Sequence, residues 1–580
     1  MKLKYIASVA LLAGVLTGCH YTDVDPDDGF SKQSYWKSVS DLELYANALL
    51  PQFGGASSTL DNESDDFVPN SVSSYLFNTM TVNDASGWDW GVVRQCNIFL
   101  NSYQTVEGAE ADINKYVAEV RMVRALTYYN LIKRFGDVPW YESELETNSE
   151  ELLYKARDPR NLVLGKIIED LQFAISWLPT RGNTTMGRPS KDAARQLLAR
   201  IALYYGTYMK YHNEADNNGW GATSLLQLAA QMSQDIMNTG DYGIPEGTNA
   251  GANVVNVPGY PLPYSNQFIQ NSLADNAETV FARYYALDVV MHGVGRQAGR
   301  NGTGLSKDFV DSYLMKDGTP IHNSGSGYQG DDEFEKEFVD RDPRMYQTVG
   351  SLSYRYDWQM TEGNTFAEPE HLIDNNRGVT GYACWKFHSS DYEQQQPNAS
   401  FFDWFLFRYG EALLINAEAN AELGSCTQAV LDNTINLLRD RVGMAHLTTS
   451  PVADAQPVDY GYTVAPLLYE IRRERRVEMV AEGQRLDDLK RWNAMKLLEN
   501  PFTMLGVKAS AQNNALFDDM LGVDATDEWQ GARYRRIYNL GVQPAGRKWT
   551  ADDKRWLYPL PIQQLTLNKN LTQNPGWGNN

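Results

Sequence analysis

Cysteine and histidine are scarce in this chain of 580 residues, which contains 4 cysteines and 7 histidines. After Cys19 the cysteines lie far apart in sequence, so their spacing predicts neither a disulfide framework nor a cysteine-built zinc site. No two histidines stand four residues apart and no HExxH occurs, which disfavours a histidine-built zinc centre. The remaining cysteines are expected to be buried thiols: Cys96, Cys384 and Cys426.

Two common catalytic signatures are also absent. The chain contains no GxxxxGK[ST] phosphate loop and no G-x-S-x-G nucleophile elbow. The glycine-rich segment 293–299 has one residue too many for a dinucleotide-binding fingerprint, and we interpret it as a loop. A glycoside hydrolase remains the enzyme alternative, because two suitably spaced carboxylates are enough for that chemistry and the chain has 73 acidic residues.

Positive charge is in deficit, with 51 Lys and Arg against 73 Asp and Glu and a net charge of −22. A surface of this sign repels phosphate backbones unless a basic patch is segregated. No such patch is visible in the sequence, so a nucleic-acid partner is disfavoured. The apolar share of 43% and charged share of 21% are those of a packed globular protein.

Long hydrophobic runs are missing apart from one short stretch near the start. Lys2 and Lys4 precede an apolar run from Tyr5 to Leu16, which is shorter than the roughly 20 residues needed to span a bilayer and is typical of an export signal. The sequence that follows, Leu-Thr-Gly-Cys ending at Cys19, is similar to the lipobox of bacterial lipoproteins. We therefore predict a signal peptide at residues 1–18, lipidation of Cys19, an acidic lipid-anchored tether at 19–30, and a binding domain at 31–580.

Aromatic residues are abundant instead, at 12% of the chain. Apolar residues at helical spacing predict helices over 115–135 and 162–178, and Ser190 is a candidate N-cap of a third. Paired helices of this length suggest tetratricopeptide-like stacking, although no strict 34-residue period is present. Clusters of Gly, Pro, Asn and Tyr between about 240 and 403, and again over 501–556, predict long loops. The expected fold is mostly α, a helical scaffold with long irregular loops.

Four glutamates recur every fourth residue near the end of the scaffold, and would form one stripe on a helix. Like charges at that spacing repel unless they are compensated. Arg473, Arg475 and Arg485 each lie three residues from one of these glutamates, so we predict a structural, ion-paired helix rather than a metal or acid–base site. The stripe consists of Glu470, Glu474, Glu478 and Glu482.

The same segment carries a family resemblance. Residues 474–492, ERRVEMVAEGQRLDDLKRW, closely resemble the signature of the SusD/RagB family. Other landmarks of the family occur in the expected order and cover essentially the whole chain after the signal. They are RQCNIFL at 94–100, KRFGDVP at 133–139, GRPSKDAA at 187–194, NAETVF at 276–281, RDPR at 341–344, RYGEA at 408–412, LYPLP at 557–561 and LTQNPGW at 571–577.

The resemblance implies a surface lipoprotein of a Bacteroidetes-type bacterium, anchored by lipid in the outer membrane. Such a protein binds glycan and sits as a lid over a SusC-like TonB-dependent transporter. It also implies a SusD-like helical fold, no catalytic activity and no cofactor. A peptide rather than a glycan cargo remains an alternative.

Sugar recognition favours aromatic faces flanked by polar groups. The best local candidates are Trp88 and Trp90, just before a helix expected near Gly91, and family members often carry ligand-contacting aromatics in the corresponding loop. That one of the two tryptophans only packs in the core is an equally weighted alternative. Weaker candidates are Asp66 with its neighbour Asp65, Arg296 in the glycine-rich loop, and Trp358.

Overall fold

The computed structural model describes most of the chain after residue 34. The described residues are 35–145, 149–216, 219–247, 262–298, 301–350, 378–389, 391, 393–509, 526–538 and 546–578. Four of the sequence predictions lie outside these residues: the signal peptide at 1–18, lipidation of Cys19, the tether at 19–30 and ligand contact by Trp358.

Helices form most of the regular structure in the described part of the chain. The long ones predicted from periodicity are present, and Ser190 caps the third through an Oγ that accepts a hydrogen bond from the Ala193 amide at 3.2 Å. The helices are α1 Val39–Leu49, α2 Gly91–Ser102, α3 Glu110–Phe135, α4 Glu150–Leu153, α5 Arg160–Trp177, α6 Lys191–Tyr211, α7 Ala222–Met237, α8 Val294–Gln297, α9 Lys307–Asp311, α10 Pro343–Thr348, α11 Tyr409–Glu422, α12 Gln428–Asp432, α13 Ile435–Val442, α14 Pro466–Met479, α15 Arg485–Arg491 and α16 Ile562–Leu567.

The long helices pack in a continuous series. Helix α3 packs on α5, α5 on α6, α6 on α7, α7 on α11 and α11 on α14. The apolar face predicted for α5 is fully buried in the largest core, because its residues recur at helical spacing. The prediction of a mostly helical scaffold of packed helix pairs is confirmed.

Short strands and a second core come mostly from the chain after α7, with one strand before α2. Strand β1 Phe67–Pro69 pairs antiparallel with β3 Thr303–Leu305, and β2 Thr279–Arg283 pairs antiparallel with β4 Trp404–Arg408. A three-stranded sheet has the order β5-β7-β6, with β5 Leu505–Lys508, β6 Thr526–Trp529 and β7 Ala532–Arg536. Among the described residues between these short elements, much is turn and loop, as the clusters of Gly and Pro predict.

The glutamate stripe is structural, but its geometry differs from the prediction. Helix α14 ends at Met479, so Glu482 lies in the following turn. Only Glu470 contacts its predicted partner, with Arg473 Nε 3.3 Å from its Oε2. The predictions for the other two arginines are wrong, because Arg475 binds Asp488 and Arg485 binds Asp65.

The other three glutamates pair with cations from distant parts of the chain. Glu478 is fully buried and accepts hydrogen bonds from Arg344, Arg408 and Arg441 at 3.1, 2.9 and 2.5 Å. Burial alone would raise its pKa, but these guanidinium groups hold the pKa of Glu478 well below its ordinary value. The stripe therefore joins α14 to β4, α10 and α13.

Two of the predicted buried thiols are confirmed. Cys96 and Cys384 are buried, whereas Cys426 is partly exposed. Burial raises the pKa of Cys96 to about 12 and that of Cys384 to about 11, so neither has the character of a reactive thiolate.

Candidate functional site

An open cavity of about 480 Å³ lies where the start of α2 meets the segments after α3 and around α16. We call it the aromatic cleft. Its volume is within the range of roughly 300–1,000 Å³ typical of ligand sites. Its lining residues are Trp88, Asp89, Trp90, Gly91, Val93, Arg94, Asn97, Pro139, Tyr141, Ser143, Leu145, Leu153, Gln564, Asn568 and Leu571.

The tryptophan loop is shaped by the start of α2. Asp89 Oδ1 accepts a hydrogen bond from the Gly91 amide at 2.8 Å, which satisfies one of the donors left unpaired at a helix start. Gly87 has a φ of +83°, a conformation that favours glycine. The adjoining Ser86 carbonyl accepts a bond from Arg134 Nε at 3.0 Å. Both tryptophans are thereby placed by backbone contacts and remain partly exposed.

Three aromatic side chains line the cleft at steep angles to one another. The rings of Trp88 and Trp90 lie 5.4 Å apart with an interplanar angle of 82°, and those of Trp90 and Tyr141 lie 5.4 Å apart at 83°. Trp88 also packs edge-on against Phe135 at 5.0 Å. Each tryptophan therefore packs on the core with one part of its ring and lines the cavity with another.

A ladder of buried polar contacts supports the loop that carries Tyr141. Asp170 accepts two hydrogen bonds from Arg124, both at 2.8 Å, and Arg124 Nη1 donates to Asn97 Oδ1 at 2.9 Å. The amide nitrogen of Asn97 then donates to the carbonyls of Tyr141 and Ser143 at 2.9 and 3.1 Å. Helices α5, α3 and α2 thus fix the loop that carries Tyr141.

Charged groups are few in the aromatic cleft. Asp89 and Arg94 are the charged residues among those that line it, and Arg94 Nη2 lies 3.3 Å from Glu144 Oε1 while its side chain is 62% exposed. Burial raises the pKa of Tyr141 to about 12, so its hydroxyl is neutral at physiological pH. The cleft offers aromatic faces, a few amides and a neutral phenol to a ligand.

A second cleft has nearly the same volume, about 500 Å³, and the opposite chemistry. It runs along α14, and we call it the charged cleft. Its lining includes five carboxylates and five cations, and several of these groups pair with each other or with buried partners. The charged residues, leaving histidine aside, are Asp308, Asp311, Asp454, Asp459, Glu499, Arg472, Arg473, Arg476, Arg485 and Lys496.

The weaker sequence candidates lie away from the aromatic cleft. Asp66 is buried beneath the charged cleft, where its Oδ1 accepts a hydrogen bond from Arg476 Nε at 2.7 Å. Its neighbour Asp65 binds Arg485 and Arg476, and these guanidinium groups lower the pKa of Asp65 against the effect of burial. Arg296 lies on the short helix α8, not in the loop predicted for 293–299, and donates to the Gln395 carbonyl at 2.9 Å. The contacts of Asp66 and Arg296 are structural, and neither residue lines the aromatic cleft.

Several residues of the cleft are missing from the sequence prediction. Tyr141 lies two residues after Pro139, where a quoted motif ends, and its position near a family landmark was the available signal. Leu153 lies more than 400 residues from Gln564 and Leu571 in sequence. Leu571 opens the quoted landmark at 571–577, but a leucine there does not indicate a ligand contact. The fold alone brings these side chains to one cavity.

Neither a metal centre nor a membrane-spanning helix is found in the part of the chain that the structure describes. Within those ranges no three His, Cys, Asp or Glu side chains are grouped as metal ligands. No described helix combines the length and the apolar character needed to cross a bilayer. Fold and cavity together define a helical scaffold that presents an aromatic surface cavity.

Comparison with known proteins identifies the family. A model described as the SusD family matches residues 264–577, more than half of the chain, and a model described as starch-binding associating with outer membrane matches residues 58–203. The chain therefore belongs to the SusD family.

Relatives and solved structures match this chain over nearly its full length. The SusD-like protein P2 of Formosa agariphila is 24% identical over 541 residues, covering 89% of this chain and 96% of that protein. The crystal structure of a SusD-like carbohydrate binding protein from Bacteroides fragilis aligns with a TM-score of 0.66 and 20% identity, covering 93% of this chain and all of the other. A laminarin binding SusD-like protein aligns with a TM-score of 0.55 and 18% identity over 93% of this chain and all of the other.

Proposed function

We propose that this protein is a cell-surface lipoprotein that binds oligosaccharide or polysaccharide in the aromatic cleft. It delivers the glycan to a SusC-like TonB-dependent transporter in the outer membrane. The observation that carries the proposal is the set of three aromatic side chains, Trp88, Trp90 and Tyr141, that line one open cavity. Family membership and the names of the carbohydrate-binding and laminarin-binding structural neighbours support it.

The chemistry of the cleft suits sugar rings. Aromatic faces pack against the C–H faces of a sugar, while nearby amides, Asp89 and Arg94 can bond its hydroxyls. We propose that the protein binds the glycan and does not cleave it.

Calorimetric titration of the purified full-length lipoprotein with a panel of oligosaccharides tests the binding. We expect at least one glycan to bind, and we expect Trp88→Ala to weaken that binding by about tenfold to thirtyfold, or roughly 2 kcal/mol, as for a central aromatic contact. Trp529→Ala is the matched control, because Trp529 is 37% exposed and does not line the cleft. Equal affinities of Trp88→Ala and the wild type would remove the site.

The same preparations separate the alternatives. Release of new reducing ends from a polysaccharide would indicate a glycoside hydrolase. Binding of peptides but of no glycan would indicate peptide capture. Both results would contradict the proposal.

Delivery and anchoring have separate tests. We expect the protein to co-purify from outer membranes with a TonB-dependent barrel. Cys19→Ala should release it from the membrane fraction, because a diacylated residue anchors stably and an unmodified chain does not. Retention of the Cys19→Ala variant in the outer membrane would contradict a lipid anchor at that residue.

A further inference from the structure

The aromatic cleft contains an aliphatic wall that the binding of an ordinary sugar does not require. We propose that the cleft selects neutral glycans whose sugars carry a small apolar group, either the methyl of a 6-deoxy sugar or an O-acetyl group. This inference rests on the proposed glycan-binding function and specifies the class of glycan.

The wall is made of aliphatic side chains from three separate segments of the chain. Pro139 and Leu145 follow α3, Leu153 ends α4, and Leu571 follows α16. Leu153 is 39% exposed, so the core does not cover its apolar surface. An apolar side chain that is exposed in a concave site is available to a ligand, whereas a scattered surface leucine needs no explanation.

Hydrogen bonds between the two ends of this wall hold it in place. Asn568 Nδ2 donates to the Lys155 carbonyl at 3.0 Å, and Asn570 Nδ2 donates to the Tyr154 carbonyl at 2.6 Å. Arg157 Nη1 donates to Asn574 Oδ1 at 2.8 Å. The segment that carries Leu571 is therefore tied to the segment that follows Leu153, and the two leucines form one fixed surface.

The orientation of the aromatic rings also favours a substituent. A flat run of sugars stacks on coplanar rings, but Trp88, Trp90 and Tyr141 meet at angles of 82° and 83°. Rings at these angles form a corner. A corner with an aliphatic wall can surround a group that projects from a sugar ring, and a methyl group there contacts carbon atoms on several sides.

Several polar groups among the described lining residues of the cleft are already paired within the protein. Asn97 already uses its side-chain oxygen and nitrogen within the protein, and Asp89 Oδ1 accepts the Gly91 amide. A hydroxyl placed against Leu153 or Leu571 would lose its bonds to water without replacement, whereas a methyl or acetyl group would bury apolar surface. Arg94 is the cation among the described lining residues and pairs with Glu144, so its charge is already offset and does not favour an acidic glycan.

Pairs of glycans that differ only in the apolar group test the inference. The pairs are acetylated xylan and acetylated glucomannan, each against its alkali-deacetylated product, and rhamnose against mannose oligosaccharides of the same configuration and linkage. We expect the substituted member of at least one pair to bind about tenfold more tightly in calorimetric titration, the usual discrimination for one small group in an apolar pocket. Equal binding of both members in every pair would overturn the inference.

Two neighbouring leucines provide matched variants. Leu153→Asn should reduce the preference within the pair towards equality, because it places an amide in the aliphatic wall. Leu152→Asn should preserve the preference, since Leu152 is 43% exposed on the same helix and does not line the cleft. A preference that survives Leu153→Asn unchanged would also overturn the inference.

The outcomes separate the two proposals. Equal binding within all pairs, with Trp88→Ala still weakening it, leaves glycan binding intact and refutes only the selection of substituted sugars. Failure of every glycan in the panel to bind would instead refute the proposed function on which the inference rests.

Discussion

The aromatic cleft and the charged cleft are close in volume, about 480 and 500 Å³, and differ in what their side chains already contact. In the charged cleft, Arg476 binds Asp65, Asp66 and Asp308, and Arg485 binds Asp65. In the aromatic cleft, the faces of three rings and several aliphatic side chains meet solvent. Cavity volume therefore does not distinguish the two clefts. They differ in how much of the lining already contacts other protein groups and how much meets solvent.

The difference also separates stability from binding. The charged groups join α14 and α15 to loops more than 400 residues away, as in the bond between Arg476 and Asp66. Buried ion pairs of this kind are costly to break, because the remaining partner stays charged in a poorly hydrated site. Substitutions in the charged cleft should thus change folding, and substitutions in the aromatic cleft should change affinity.

The largest effect is expected for Arg476→Ala. It leaves the buried Asp65 and Asp66 and the partly buried Asp308 without this cation, and we expect the free energy of unfolding to fall by about 3–5 kcal/mol. Urea unfolding followed by circular dichroism measures the change, and glycan affinity of the protein that remains folded should be unaltered. A loss below about 1 kcal/mol would contradict the structural role of the charged cleft.

The stability of the protein should depend on pH through Asp61, which is buried near Asp66. Asp61 accepts hydrogen bonds from the backbone amides of Gly483 and Arg485. Burial, together with the nearby Asp66 carboxylate, raises the pKa of Asp61 to about 7. Because the folded-state pKa exceeds the ordinary value near 4, the stabilisation is present below about pH 4 and is lost as the pH rises through 7.

Asp61→Asn isolates this contribution, since the other titrating groups remain in both proteins. We expect the stability of the variant relative to wild type to improve by about 2–4 kcal/mol between pH 4 and pH 8. Urea unfolding at both pH values measures it. A difference between the two proteins that does not change with pH would contradict the raised pKa.

A mixed effect is expected for Asn97→Ala, because Asn97 supports the wall of the aromatic cleft from inside. The change removes two bonds to the Tyr141 loop and one partner of Arg124, and should cost about 1–3 kcal/mol of stability. We also expect glycan affinity to fall about fivefold as the loop loosens, roughly 1 kcal/mol.

Asn97→Asp is the control for that experiment. It preserves an acceptor for Arg124, but a carboxylate oxygen then faces the Tyr141 and Ser143 carbonyls in place of the donated bonds. A loss of affinity in both variants would assign the binding effect to the loop. Wild-type affinity in both variants would show that the loop does not matter for binding.

The smallest effect is expected for Lys496→Ala, at the rim of the charged cleft. Lys496 and Asp459 are 2.5 Å apart, but their side chains are 51% and 70% exposed, and exposed pairs contribute little. We expect no measurable shift in the urea midpoint and no change in glycan titration. A shift as large as that of Arg476→Ala would mean that position in the cleft, rather than burial, determines the effect.

Local sequence patterns predict much of this fold. Helix α5 follows from apolar spacing and α6 from the Ser190 cap, because both signals lie within one segment. The ion pairs show the limit of that reasoning. Arg475 and Arg485 lie near glutamates in sequence, yet they bind Asp488 and Asp65, since a buried arginine takes the partner that the tertiary fold brings to it.

The candidate site likewise contains some residues that the sequence predicts and others that only the tertiary fold reveals. Trp88 and Trp90 stand out because two tryptophans flank an aspartate just before a helix. Tyr141 and Leu571 carry no comparable signal, since they reach the cleft only after α3 and the segment after α16 have packed. The sequence motif therefore predicts the two tryptophans of the cleft, and the tertiary fold brings the other wall residues to them.

The ladder from Asp170 through Arg124 and Asn97 to the Tyr141 loop has a consequence for the energetics of recognition. The loop acquires its conformation when the helices fold, so an arriving ligand meets a surface whose shape is already set. The loss of conformational entropy that accompanies ordering of a loop then belongs to folding and does not weaken the complex. Preorganisation of this kind lets a shallow, weakly polar surface retain a ligand that makes few hydrogen bonds.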